Sequence, residues 1–222
     1  MMKKLFLILF PILILACRAT IQTTNQAATT LAKHKAIAVL PFQVIIASKS
    51  QKINRYKDSE IEELKKFTSL ALQRHLYETL KSKQKNFPYT VTLQSGEITD
   101  SILSSNKISF ARVFENDKTQ LCKMLQVDAV IFPKMIFGKR PQSHIKDLWF
   151  DGDLEMNAAI YDSSLATPIW QFNHQMNYDG ILLQKRVLDL PDNKSQELVM
   201  HWMHVIDGLF HNFTADFPYK KK

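Results

Sequence analysis

The sequence predicts an α/β fold, one mixed β-sheet with helices packed on it, and three observations predict it. Residues 35–44 are a nearly unbroken apolar run, the pattern of a strand covered on both faces. Residues 61–80 and 193–215 carry apolar side chains at helical spacing. Residues 127–137, 149–162 and 167–178 read as three successive strands. Strands first separated by helices and then following one another call for a single mixed sheet, closed by an antiparallel hairpin and a last helix.

Taken in order, the strand at 35–44 is expected to end at Pro41, because proline lacks the N–H that a ladder needs. Ser59 and Glu62 have capping-box spacing, and Ile61, Leu64, Phe67, Ala71, Leu72, Leu76 and Leu80 follow as the buried face of a helix. Lysines between 81 and 85 suit the C-terminal end of that helix, where cations complement the dipole. Residues 89–94 alternate as a second strand, and a short helix is expected around 97–104. Asp117 with Gln120 opens a further helix reaching about Leu125, in which Cys122 is a small buried hydrophobe. The third strand covers 127–137. Residues 162–166 then turn the hairpin formed by 149–162 and 167–178.

The amino terminus carries a different signal. Two methionines, Lys3 and Lys4 precede an apolar run from Leu5 to Leu15 that is too short for a stable membrane span, and a small residue, Ala16, precedes Cys17. This is the pattern of a secretory leader. Ile14-Leu15-Ala16-Cys17 resembles the lipobox of bacterial lipoproteins, which implies cleavage after residue 16 and acylation of Cys17, palmitate being one such chain. The chain thus divides into a signal peptide at 1–16, a flexible tether at 17–34 rich in Thr, Ala and Gln, and an α/β domain with its C-terminal helix at 35–222. As a coil, the tether would reach about 20–25 Å.

With Cys17 acylated, Cys122 has no cysteine left to pair with. Loss of Lys3 and Lys4 with the leader takes two charges from the formal net charge of +8. The remaining basic excess suits anionic headgroups or acidic partners rather than nucleic acid.

Several stretches then carry a family resemblance. Ala36-Ile-Ala-Val-Leu-Pro-Phe42, residues 125–131 and Pro168-Ile-Trp170 resemble exported α/β domains related to the N-terminal domain of TolB, a group that includes the lipoproteins LpoB and CsgG. Residues 85–93, 127–131, 169–174 and 216–220 are similar to a Gram-negative lipoprotein family whose role is uncharacterised. The resemblance spans most of 35–220 and rests on strand and turn signatures. It implies attachment to the periplasmic face of the outer membrane, since Arg18 rather than Asp follows the cysteine. The family often has a Gly- and Ala-rich apolar segment before the hairpin, but this chain has the polar residues 139–148. Nor does it carry the paired long hairpins with a lipid-facing stripe that a CsgG-like pore subunit requires.

Catalytic signatures are sparse. The chain has only five glycines and no phosphate-cradling loop, Gly-x-Ser-x-Gly elbow, Cys-x-x-Cys pair or His-Glu-x-x-His helix. Asp151-Gly152 and Asp179-Gly180 read as turn dipeptides. Asp151, Asp153 and Glu155 alternate like half a calcium site but lack the other ligands, so a solvent-facing strand edge is expected. The one constellation with metal-binding spacing is Glu197, His201 and His204 on the last helix, on the same side as His211. Leu198, Trp202, Val205, Ile206, Leu209 and Phe213 form the opposite, apolar stripe. The expectation is a non-enzymatic envelope adaptor or assembly factor. It would use no cofactor and no catalytic residue, and would be bound to the membrane by lipid and to an envelope protein by its surface. The alternative is a metal-binding protein or metal-dependent enzyme built on the last helix.

Overall fold

The computed structural model describes residues 19–46, 58–137, 154–176 and 194–221, with side chains of the last stretch described from residue 205. Seven strands form one mixed sheet in the order β1-β7-β6-β5-β2-β4, with β3 also paired to β5. The strands are β1 (Thr20–Thr23), β2 (Ala36–Val39), β3 (Gln43–Ile46), β4 (Thr92–Gln94), β5 (Ala129–Phe137), β6 (Leu154–Asp162) and β7 (Trp170–Met176). The helices are α1 (Ala27–Leu31), α2 (Asp58–Gln84), α3 (Gly96–Ser105), α4 (Phe110–Glu115), α5 (Lys118–Leu125) and α6 (Lys194–Ala215). The mixed sheet, the closing antiparallel pair β6–β7 and the helix that follows are those the sequence predicts.

Alternation along β2 distributes the layers. Ile37 and Val39 point to one face, where they pack with Leu72, Leu76 and Leu80 of α2 and Leu209, Phe210 and Phe213 of α6. Ala38 points to the other, where Leu103, Val113, Leu121 and Leu125 of α3, α4 and α5 cover it. The connection from β2 to β4 therefore runs over one face and that from β4 to β5 over the other. Helices α3 to α5 cover β2, β5 and the end of β6, as far as Phe132 and Tyr161.

Several expectations need correction. The apolar run at 35–44 is two strands, because register slips across Pro41: Val39 is opposite Ile131, and Gln43 is opposite Lys134. Three residues, 40–42, face two, 132–133, which makes a bulge with a proline on each side removing a ladder donor. The second strand is shortened to Thr92–Gln94, while Tyr89 bridges to Lys220 in the tail. On α2, Leu64 (46% exposed), Phe67 (75%) and Ala71 lie outside the core, because at about 100° per residue they fall on the far side of the helix from the stripe that Leu72, Leu76 and Leu80 bury. Ser59 is already helical, and α4 had no signal in the sequence reading.

A further correction concerns the tether. Within residues 19–34, β1 pairs antiparallel with β7, Thr20 to Asn173 through Thr23 to Trp170, and α1 buries Ala27. All four side chains of this strand, Ile21 included, stay exposed, so backbone pairing rather than burial holds it.

Candidate functional site

Beyond α3 to α5, no described helix covers this face of the sheet. In β6 and β7, Leu154, Met156, Ala158, Ile160, Trp170 and Phe172 turn into the core beneath α6. The alternate positions, Asn157, Ala159, Tyr161, Gln171 and Asn173, face the opposite side. Strand register places Gln43, Lys134, Asn157, Asn173 and Thr20 in one row across five strands. A second row holds Phe132, Ala159, Gln171 and Gln22. The result is a groove with a floor of side-chain amides and one cation, walled by Phe132 and Tyr161.

The groove is pre-ordered. Asn173 Nδ2 donates to Glu155 Oε1 at 3.1 Å and also to Asn157 Oδ1, and Asn157 Nδ2 donates to Glu155 Oε1 at 3.0 Å. Glu155 is buried on a central strand, not solvent-facing on an edge as its alternation with Asp151 and Asp153 suggested. Those two aspartates lie outside the described residues. The aromatic wall is braced by Phe114 against Phe132, with ring centroids 5.9 Å apart, and by Phe132 against Tyr161 at 6.3 Å. Lys118 Nζ lies 4.4 Å from the Phe132 centroid and donates to the carbonyls of Phe114 at 2.9 Å and Asn116 at 2.7 Å. Burial lowers the Lys118 ammonium below the ordinary lysine range, partly opposed by Asp117.

At the end of the sheet away from the start of β1, a buried clasp ties three distant segments. His34 Nε2 donates to Asp162 Oδ2 at 2.7 Å, and Nδ1 accepts from the Tyr219 hydroxyl at 2.6 Å. Burial raises the Asp162 carboxyl, but hydrogen bonds from Ser164 and His34 outweigh it and hold it below the usual range. Beside it, burial likewise raises Asp128 and is outweighed by the N–H groups of Ala36 and Lys35, at 2.9 and 2.6 Å. Tyr219 is pushed far up by burial. His34, Asp162 and Tyr219 are 5%, 6% and 1% exposed, so the trio has no room for a substrate and acts as a structural lock. Cys122 is buried nearby, donates to the Tyr161 carbonyl at 3.7 Å and is pushed up to about 12, which leaves it an inert thiol.

The crevice where α/β folds usually bind ligands, beyond the carboxyl ends of strands with helices on opposite faces, is occupied by the chain itself. Gln73 of α2 donates to the Val39 carbonyl at 2.9 Å, and Gly96 at the start of α3 lies against the Gln73 side chain.

Of the residues singled out in the sequence, Cys17 lies outside the described residues. Glu197, His201 and His204 fall on α6, but their side chains, with those of Leu198 and Trp202, are likewise outside. His211 is exposed, and Ile206, Leu209 and Phe213 are buried as read. Among the described residues, no group of three or more His, Cys, Asp or Glu could hold a metal ion, and no helix is long and apolar enough to cross a membrane. The groove itself was overlooked. Its signal was the polar half of the alternation in 154–161 and 170–176, which reads as ordinary solvent exposure until the helices are seen to stop short.

No family model matches the chain, and no curated protein matches it. Among solved structures it is similar to the lipoprotein GNA1162 from Neisseria meningitidis, with a TM-score of 0.44 and 13% identity over 70% of this chain and 94% of that one. It is also similar to the LpoB C-terminal domain from Salmonella enterica, with a TM-score of 0.35 and 7% identity over 65% and 83% of the two chains. A third is the PelC dodecamer from Paraburkholderia phytofirmans, with a TM-score of 0.33 and 9% identity over 72% and 80%.

Proposed function

We propose that this chain is a lipid-anchored envelope adaptor, held at the periplasmic face of the outer membrane by acylated Cys17 and docking another protein in the amide-floored groove. The anchor follows from the leader and the lipobox-like Ile14-Leu15-Ala16-Cys17. The groove is the observation that carries the adaptor role. Five strands contribute one row of polar side chains, and Glu155 fixes two of its asparagines, Asn157 and Asn173, in place. Side-chain amides both donate and accept, so they can match the exposed peptide groups of a partner segment, while Phe132 and Tyr161 supply apolar contact.

The test is photo-crosslinking in intact cells from a crosslinker placed at Gln171, in the groove floor. A defined protein adduct is expected there, and none from Glu78 on the outer surface of α2. Cys17→Ser should move the protein out of the membrane fraction and greatly reduce the adduct. Absence of any adduct from Gln171, or an equal one from Glu78, would contradict docking in the groove.

A further inference from the structure

We infer that the lysines gathered around the exposed ring of Phe87, at the end of the domain that carries the His34 clasp, form a second docking surface, for an acidic protein segment with an apolar residue. Three segments far apart in the sequence build it. Helix α2 ends among Lys81, Lys83 and Lys85, and the Phe87 N–H closes its last turn on the Lys83 carbonyl at 2.9 Å. The carboxyl-terminal tail pairs with the residues that follow. Tyr89 bridges to Lys220, the Lys221 N–H donates to the Pro88 carbonyl at 2.8 Å, and Lys220 Nζ lies 5.6 Å from the Phe87 ring centroid. Lys33 and Lys35 join them, since they flank His34, whose ring accepts from the Tyr219 hydroxyl at 2.6 Å.

Two features separate this surface from ordinary solvated lysines. Phe87 is 54% exposed in their midst, and no carboxylate among the described residues is in ion-pair contact with any of them. Of the acids at this end, Asp128 is taken up by the N–H groups of Lys35 and Ala36, while Glu78 and Asp216 are exposed. A ring flanked by cations offers an acidic segment counter-charge and one apolar anchor together. Every connection at this end, from β1 to β2, α2 to β4, α5 to β5, β6 to β7 and α6 to the tail, is within the described residues. Ile46, Phe137 and Met176, after which the chain passes outside them, are level with one another at the opposite end.

The choice of a protein segment over the anchoring membrane rests on the reading of Cys17 as the acylated residue. Only Arg18 and Ala19 separate Cys17 from Thr20, which is level with Asn173, Asn157 and Lys134. Strand β2 begins level with Asp128, about 20 Å further down the strand direction. Strand β4, which the chain enters from Phe87, is the edge opposite β1, about 24 Å across the sheet. The lysines therefore lie diagonally across the sheet from the start of β1 and are presented away from the anchor.

The experiment follows the anisotropy of a fluorophore-labelled peptide, glutamates around one central leucine, titrated with the full-length protein at physiological ionic strength. The test variant is Lys85→Glu with Lys221→Glu, because both side chains are exposed and make no described hydrogen bond. Lys220 is left in place, since its Nζ donates to the Ala215 carbonyl at the end of α6. Lys66→Glu with Arg112→Glu, exposed elsewhere, makes the same change in net charge. Reversal in the patch is expected to weaken binding roughly tenfold, since two attractions become two repulsions. Phe87→Ser should weaken it several-fold, and the control pair should leave it unchanged. Equal weakening by the control pair, or none by the patch pair, would overturn the inference by assigning binding to net charge or to another surface. Flotation of the Cys17→Ser protein with phosphatidylglycerol vesicles that is lost in the patch variant, with the peptide left unbound, would assign the surface to lipid and also overturn it. Peptide binding does not need the anchor, so a protein that binds the peptide but leaves the membrane fraction would uphold the surface and contradict the reading of Cys17 alone.

Discussion

His34 is buried between two groups that are themselves buried, the Asp162 carboxylate and the Tyr219 hydroxyl. Removing the imidazole would strand both, so His34→Ala is expected to cost about 3 kcal/mol of folding stability, measured by urea titration. His174 gives the fold a pH dependence. It is buried under α6, accepts from Asn212 Nδ2 at 2.9 Å, and burial lowers it below the ordinary histidine range against a small opposing effect of Asp216. The unfolded chain therefore takes up a proton at this site, near pH 6.5, before the folded one does, so stability is full above that pH and falls as pH drops below it. Asp162 and Asp128, both lowered, act in the same sense further down, below about pH 4. His174→Gln keeps an acceptor for Asn212, so melts from pH 7.5 to 5.5 should show a shallower acid slope than the parent. An unchanged slope would assign it to other groups. Nothing local marks His34 in the sequence. Its partners are 128 and 185 residues away, and it sits in a stretch whose composition resembles coil.

Elements were legible where burial imposes a period. Helix α6 shows its core stripe in Ile206, Leu209 and Phe213, and Phe213 packs edge-on against Trp170 and Phe172 at 5.7 and 5.3 Å between ring centroids. Phe213→Ala should therefore cost about 3–5 kcal/mol through the cavity it leaves, read from thermal or urea unfolding. Phe210 belongs to the same core, placed between Phe42 and His75 at 5.8 and 5.2 Å, and the stripe drawn from the sequence omitted it. Where pairing rather than burial decides, the pattern is silent. Strand β1 has four exposed residues, and its ladder partners are in β7, far along the chain. The break between β2 and β3 was half legible. Pro41 announces a stop, but only the parallel pairing of both pieces to β5 shows that the strand resumes one residue out of register. The outward position of Phe67 was invisible for a related reason. Phe67 lies about half a turn around the helix from Leu76, so a list of apolar residues at loose helical spacing merged two faces, only one of which is buried.

At the scale of the molecule, docking of β1 on β7 changes how the domain relates to its anchor. A coil over 17–34 would have let the domain wander, whereas a chain ordered from Thr20 leaves two residues, Arg18 and Ala19, between Cys17 and the sheet edge. With the proposed lipid anchor at Cys17 the groove would be held beside the membrane, and a partner docking in it would have to be there too. Inserting flexible residues between Arg18 and Ala19 leaves the sheet, the clasp and the groove untouched, so it alters only position. The most direct measurement is in-cell crosslinking yield from Gln171 across a series of such inserts, with expression held equal. The account predicts a yield that is highest with the native spacing and falls as the insert lengthens, through lower effective concentration at the membrane. A yield that rises steadily with insert length would place the partner farther out and contradict a membrane-proximal adaptor.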